Sequence, residues 1–103
     1  LAMCCAALGF ELIVTMGSNV SEERKKIMEA FGAKVIVVEG GSDAAWDKAD
    51  EIASSDPQKY FRIHQYKNEW NVLSHYHTTG PEIWRQTDGK ITHLVASIGT
   101  TGR

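Results

Sequence analysis

ELIVTMGSNVSEERKKIMEAFGAKVIVVEGG, residues 11–41, sets two short β-type runs around one helical stretch. Residues 11–16 (ELIVTM) are apolar and partly β-branched, the pattern of a strand buried on both faces of a parallel sheet. A turn follows at 17–19. Ser21 is a suitable N-cap, and Glu22 and Glu23 fall in the first helical turn, where the backbone dipole favours negative charge. The helix places Ile27, Met28 and Phe31 on one face and stops at Gly32. Residues 33–38 (AKVIVV) form the second strand, and Gly40 and Gly41 turn the chain. Two such strands joined by a helix are a βαβ unit, whose strands run parallel.

The same alternation extends in both directions. Residues 1–8 (LAMCCAAL) read as a helix stopped by Gly9. Downstream, Ser42 caps a helix carrying Ala44, Ala45, Trp46, Ala49, Ile52 and Ala53 at spacings of three and four. Residues 59–64 (KYFRIH) and 91–97 (ITHLVAS) predict a third and a fourth strand. Between them, residues 65–71 (QYKNEWN) form a polar and aromatic loop. A helix follows over 72–87, begun anew or kinked at Pro81, which has no amide proton to donate. The expected fold is therefore α/β: a parallel sheet of about four strands with helices on both faces, in three layers. In such sheets ligands bind beyond the carboxyl ends of the strands, which points to residues 16–21, 40–42, 65–71 and 98–103.

Composition removes several function classes. A chain of 103 residues, 43% hydrophobic and 23% charged, has globular rather than disordered character. Eleven basic against 13 acidic residues leave a net charge of −2, with no basic excess to grip nucleic acid. No apolar run is long enough for a membrane-spanning helix. Cys4 and Cys5 are adjacent and make no disulfide framework, which fits a reducing compartment. His64, His75, His77 and His93 have no metal-ligand spacing, so no metal site is expected. Ser97 lacks the G-x-S-x-G elbow of hydrolases. The runs ending at Met16 and His64 lack the clustered acids of a receiver domain.

Two segments carry chemistry. In SIGTTGR, residues 97–103, a strand empties into a turn whose glycines flank two threonines. Exposed amides and hydroxyls at such a turn converge on an anion, and a phosphate offers oxygens in several directions. The competing reading is a plain strand-to-helix turn. In the 65–71 loop, Gln65, Asn68 and Asn71 both donate and accept hydrogen bonds and suit a substrate carboxylate, with Tyr66 and Trp70 as walls. The competing reading there is a solvated loop with aromatic anchors.

The succession of LAMCCAALGFELIVTM, SEERKKIMEAFGAKVIVVEGG, IHQYKNEWN, HTTGPEIW and ITHLVASIGTTGR resembles the cysteine synthase family of pyridoxal-phosphate enzymes, with the tryptophan synthase β-like fold. The likeness covers essentially the whole chain. GTTG, GGSDAAWDKADEIA and SHYHTTGPE look closest to the cysteine synthase B or O-phosphoserine sulfhydrylase branch. Cystathionine β-synthase is an alternative relative.

The resemblance implies pyridoxal 5′-phosphate as cofactor. Gly99, Thr100, Thr101, Gly102 and Arg103 match the family's phosphate loop, with Arg103 in place of the usual Thr. Gln65 matches a glutamine on the substrate carboxylate, and Tyr66 an accompanying aromatic. The implied reaction replaces the β-substituent of O-acetylserine or O-phosphoserine with sulfide to give cysteine. Residues 1–90 would be most of the small movable domain, and 91–103 the first strand and phosphate loop of the large one.

The family's Schiff-base lysine lies upstream of the matching segment, and the lysines of this chain stand in other contexts. No catalytic residue is therefore assigned. Both ends are expected to be internal to a longer enzyme, and the chain alone is expected to be inactive. The implied partners are a small amino-acid substrate and, in the complete cytoplasmic enzyme, a second copy. The alternative from another class is a truncated, non-catalytic α/β module that binds an anion or self-associates.

Overall fold

The computed structural model describes residues 1–100 and Gly102. The chain divides into two compact units, residues 1–62 and 63–103.

The first unit is built on the expected βαβ core. Helix α1 (Ala2–Leu8) ends where Gly9 takes a left-handed conformation, φ 74°. The Phe10 amide then donates to the Cys5 carbonyl at 2.9 Å, closing a Schellman turn. Strand β1 (Ile13–Gly17) pairs in parallel with β2 (Lys34–Val38), in a register that sets Ile13 opposite Lys34 and Gly17 opposite Val38. Helix α2 (Glu22–Ala30) makes the crossover. Its end repeats the motif of α1: Gly32 donates to Glu29 and Ala33 to Met28.

Ser21 occupies the N-cap position of α2 with extended backbone, but its side chain makes no capping bond. The start of α2 thus rests on Glu22 and Glu23 beside the exposed amides. Helix α3 (Ser42–Ser55) begins one residue earlier than a Ser42 cap requires, so Gly41 is the N-cap and Ser42 is already helical.

The core of this unit is small. Met16, Ala33 and Ala45 are its buried apolar residues. Ala45 brings α3 onto β1, where the Thr15 hydroxyl donates to the Ala45 carbonyl at 2.7 Å. A polar group entering an interior needs such a partner, and Thr15 finds it in the helix backbone.

The end of the unit is fastened by Arg62. Its guanidinium pairs with Asp50 and stacks 4.9 Å from the ring centre of Trp46, one turn earlier on α3. The Arg62 side chain is only 18% exposed, so both contacts are partly desolvated. Arg62→Ala is expected to cost about 2 kcal/mol, and Asp50→Ala about 1 kcal/mol because the stacking on Trp46 survives. Denaturant unfolding of the two variants checks the order; equal costs would remove Trp46 from the account.

The sheet meets the expectation of about four strands only in part. Among the described residues it has two, β1 and β2. Residues 59–64 and 91–97 have strand-like composition but join no ladder. A strand is completed by a neighbour's amides and carbonyls, and its apolar side chains by a covering layer. Here Phe61 is 85% exposed and Val95 96% exposed. The α/β class stands, but neither the strand count nor the three layers is reached by these residues.

The second unit is mostly helical in its first half. Helix α4 (Glu69–Ser74) starts inside the segment expected to be loop. Its cause is Asn68, whose side-chain oxygen accepts from the Trp70 amide at 3.0 Å. A π turn (His75–Thr79) follows and leads into α5 (Gly80–Gln86) with no break. The Gly80 amide reaches back to the His75 carbonyl, one residue farther than in an α-helix. Pro81 falls just after this widening, in the first turn of α5. No helix of the described residues is long and apolar enough to cross a membrane.

Candidate ligand site

Of the four loops expected at carboxyl strand ends, the structure brings together two pairs. In the first unit, residues 16–21 meet residues 40–42. The Ser18 amide donates to the Val38 carbonyl at 2.9 Å, and the Gly40 amide donates to the Ser18 hydroxyl at 3.4 Å. The Ser18 hydroxyl thus ties the two loops together.

The second pair lies within the second unit and is the more interesting chemically. Residues 65–71 begin with an abrupt turn. His64 has φ 52°, a left-handed conformation uncommon outside glycine. Its carbonyl accepts from the amides of Lys67 and Asn68 at 2.9 and 3.0 Å. The turn leaves Gln65 and Tyr66 exposed, with the Gln65 side-chain amide accessible to a ligand.

Asn68 and Asn71 turn away from that role. Asn68 donates to the Ile63 carbonyl at 2.8 Å while capping α4. Asn71, in the first turn of α4, donates to the Gln65 carbonyl at 2.9 Å. The same Asn71 amide reaches the Thr100 hydroxyl at 2.9 Å and the Thr100 carbonyl at 3.3 Å. The asparagines read from sequence as ligand contacts therefore serve the loop's own architecture. The Gly–Thr segment is thereby bound to the Gln65 loop.

Of the phosphate-loop candidates, Gly99, Thr100 and Gly102 are described; Thr101 and Arg103 lie outside the described residues. Among the described residues, no hydrogen-bond acceptor is occupied by the amides of Gly99, Thr100 or Gly102. A Cβ built on Gly99 meets nothing within 4 Å, so the space above it is open. The Thr100 hydroxyl accepts from Asn71 and keeps its own proton to give. Amides without a partner among the described residues, open space and a hydroxyl with a proton available suit an oxyanion. The buried Gly102 differs from Gly99: a Cβ there would run into the Asn71 amide.

The histidines are placed singly. His75 Nδ1 lies 2.9 Å from the Thr79 hydroxyl, and His93 Nδ1 lies 2.7 Å from the Thr92 hydroxyl. Among the described residues, no cluster of three His, Cys, Asp or Glu side chains is arranged to hold a metal ion.

A family model described as pyridoxal-phosphate dependent enzyme matches residues 1–103. The chain is 49% identical to a cysteine synthase from Aquifex aeolicus over 99% of its length, which is 32% of that relative. It is 46% identical to cysteine synthase B from Pseudomonas aeruginosa, again over 99% of the chain and 34% of the relative. A crystal structure of cysteine synthase from Entamoeba histolytica superimposes with a TM-score of 0.91 and 37% identity. That match covers 98% of this chain and 30% of the other. The chain thus spans about a third of the length of the curated relatives it matches.

Proposed function

Since the chain belongs to the family of pyridoxal-phosphate-dependent enzymes, we propose that it supplies the substrate-carboxylate loop and the cofactor-phosphate loop of a β-replacement enzyme. That enzyme makes cysteine from O-acetylserine or O-phosphoserine and sulfide. The observation that carries the reading is the Asn71 bridge, which joins the Gln65 loop to Thr100. Two segments 29 residues apart are thereby held side by side, as a site for one small dianion and one amino acid requires.

The roles follow from the donor set. The amides of Gly99, Thr100 and Gly102 and the Thr100 hydroxyl hold the phosphate, with Thr101 and Arg103 completing the loop. The Gln65 side chain donates to the substrate carboxylate, and Tyr66 walls the pocket. These groups fix position and stabilise negative charge by hydrogen bonding, and closure of the small domain in the complete enzyme would exclude water and strengthen those bonds. Pyridoxal phosphate, when bound, supplies the electron sink for loss of the β-substituent. No lysine of this chain is assigned its covalent attachment.

Residues 1–90 belong, in this reading, to a small movable domain, and 91–103 open the cofactor domain. The strand-like runs at 59–64 and 91–97 become strands when the rest of the enzyme supplies their neighbours and covers Phe61 and Val95. A cytoplasmic homodimer is the matching assembly.

Phosphate recognition is testable directly. Pyridoxal 5′-phosphate is expected to bind at least about tenfold more tightly than pyridoxal, and Thr100→Val to narrow that gap, because charge-assisted bonds are the strong ones. Calorimetry with both ligands checks it, and equal affinities would remove the phosphate loop. The complete enzyme that carries this segment, loaded with cofactor and given O-acetylserine or O-phosphoserine with sulfide, is expected to form cysteine; retention of cofactor with neither donor consumed would overturn the substrate class.

A further inference from the structure

The Asn71 side chain is surrounded by atoms of both ligand loops, and its chemistry dictates more than a tether. Its two amide protons serve the Gln65 carbonyl at 2.9 Å, the Thr100 hydroxyl at 2.9 Å and the Thr100 carbonyl at 3.3 Å. Its amide also lies against Gly102, where any Cβ would overlap it. A hydroxyl that accepts from an amide N–H must send its own proton elsewhere. The group on the far side of that proton is, in the reading above, a phosphate oxygen.

We infer that Asn71 is the positioning residue of the phosphate loop: by donating to the Thr100 hydroxyl it aims that hydroxyl's proton at the cofactor phosphate, and Gly102 is glycine to admit the Asn71 amide. The inference rests on the assignment of residues 99–103 to phosphate. It makes a distinction that shape alone does not. An aspartate at position 71 keeps the size of asparagine but only accepts when ionised. It would take the Thr100 proton for itself and place a negative charge beside the phosphate site.

The test is a set of affinities for pyridoxal 5′-phosphate and pyridoxal, with the 31P resonance of the bound phosphate as a second readout. Asn71→Asp is expected to weaken pyridoxal 5′-phosphate about tenfold to a hundredfold, with a shifted 31P resonance and little change for pyridoxal. In a Thr100→Val background the same substitution is expected to cost less, since no hydroxyl is left to misdirect and only the repulsion of the new charge remains. Gly102→Ala is expected to weaken phosphate binding, with partial recovery on adding Asn71→Ala, which makes room for the new methyl.

An Asn71→Asp effect of equal size with and without the Thr100 hydroxyl would make Asn71 merely structural and overturn the inference. Wild-type affinity in Asn71→Asp would do the same. If Asn71→Asp unfolds, Asn71→Ala with and without Thr100→Val decides: a loss of pyridoxal 5′-phosphate affinity equal in both backgrounds overturns the inference. Wild-type protein that binds both ligands equally would instead defeat the phosphate assignment itself.

Discussion

Gly17→Ala is expected to destabilise the 1–62 unit by about 2–3 kcal/mol, the range for forcing extra volume into a closed contact. Gly17 ends β1, opposite Val38, and is buried. A Cβ added there would lie 2.5 Å from the Gly40 carbonyl oxygen, 2.9 Å from Asn19 Oδ1 and 3.0 Å from the Gly41 carbonyl carbon. Two of these neighbours are main chain and cannot rotate aside. The βα loops at 17–20 and 39–41 would have to part, disturbing the Ser18-to-Val38 hydrogen bond that extends the ladder.

Gly9 supplies the control. Its Cβ would meet nothing within 4 Å, but its φ of 74° is left-handed. Gly9→Ala is therefore expected to cost about 1 kcal/mol from conformation alone. Urea unfolding of both variants separates crowding from backbone preference. A Gly17→Ala cost no greater than that of Gly9→Ala would mean that the two loops part freely.

Gln65→Glu is expected to lower kcat/KM for the amino-acid donor by about 10²–10³-fold in the complete enzyme loaded with cofactor, through a lost donor to a charged acceptor and a new like charge. The loss is expected mainly in the KM of the amino acid, with the KM for sulfide little changed. Phosphate affinity should be preserved, because Asn71 binds the main-chain carbonyl of residue 65 and not its side chain. Steady-state kinetics with cofactor titration checks both halves. Unchanged kinetics would remove Gln65 from the carboxylate site; a parallel loss of cofactor would show that the side chain supports the loop instead. Gln65→Ala should fall less far than Gln65→Glu, since it loses the donor without adding repulsion.

The βαβ unit was readable because its signals are local. The apolar run at 11–16, the acidic first turn at Glu22 and Glu23, and the stop at Gly32 each act within a few residues. Strand composition at 59–64 and 91–97 was equally plain, yet no ladder forms there among the described residues. Composition sets only a readiness to pair, and the partner is supplied by another part of the fold. The start of α4 was missed although its signal was present: Asn68 followed by Glu69 is a cap with an acidic first turn. It was obscured because the same amides suited ligand binding.

Sequence by itself determined the α/β character, the parallel pairing implied by the helical crossover, and the family, because these depend on residue order and short-range chemistry. It also singled out Gln65 and the Gly–Thr turn. Only the tertiary structure decided which side-chain amides of the Gln65 loop are already spent. Asn71 is an ordinary polar residue in the chain; three-dimensional contact brings it to Thr100, 29 residues away. Hydrogen-bond capacity is written in each side chain, but how that capacity is shared depends on which backbone atoms folding brings within 3 Å or so.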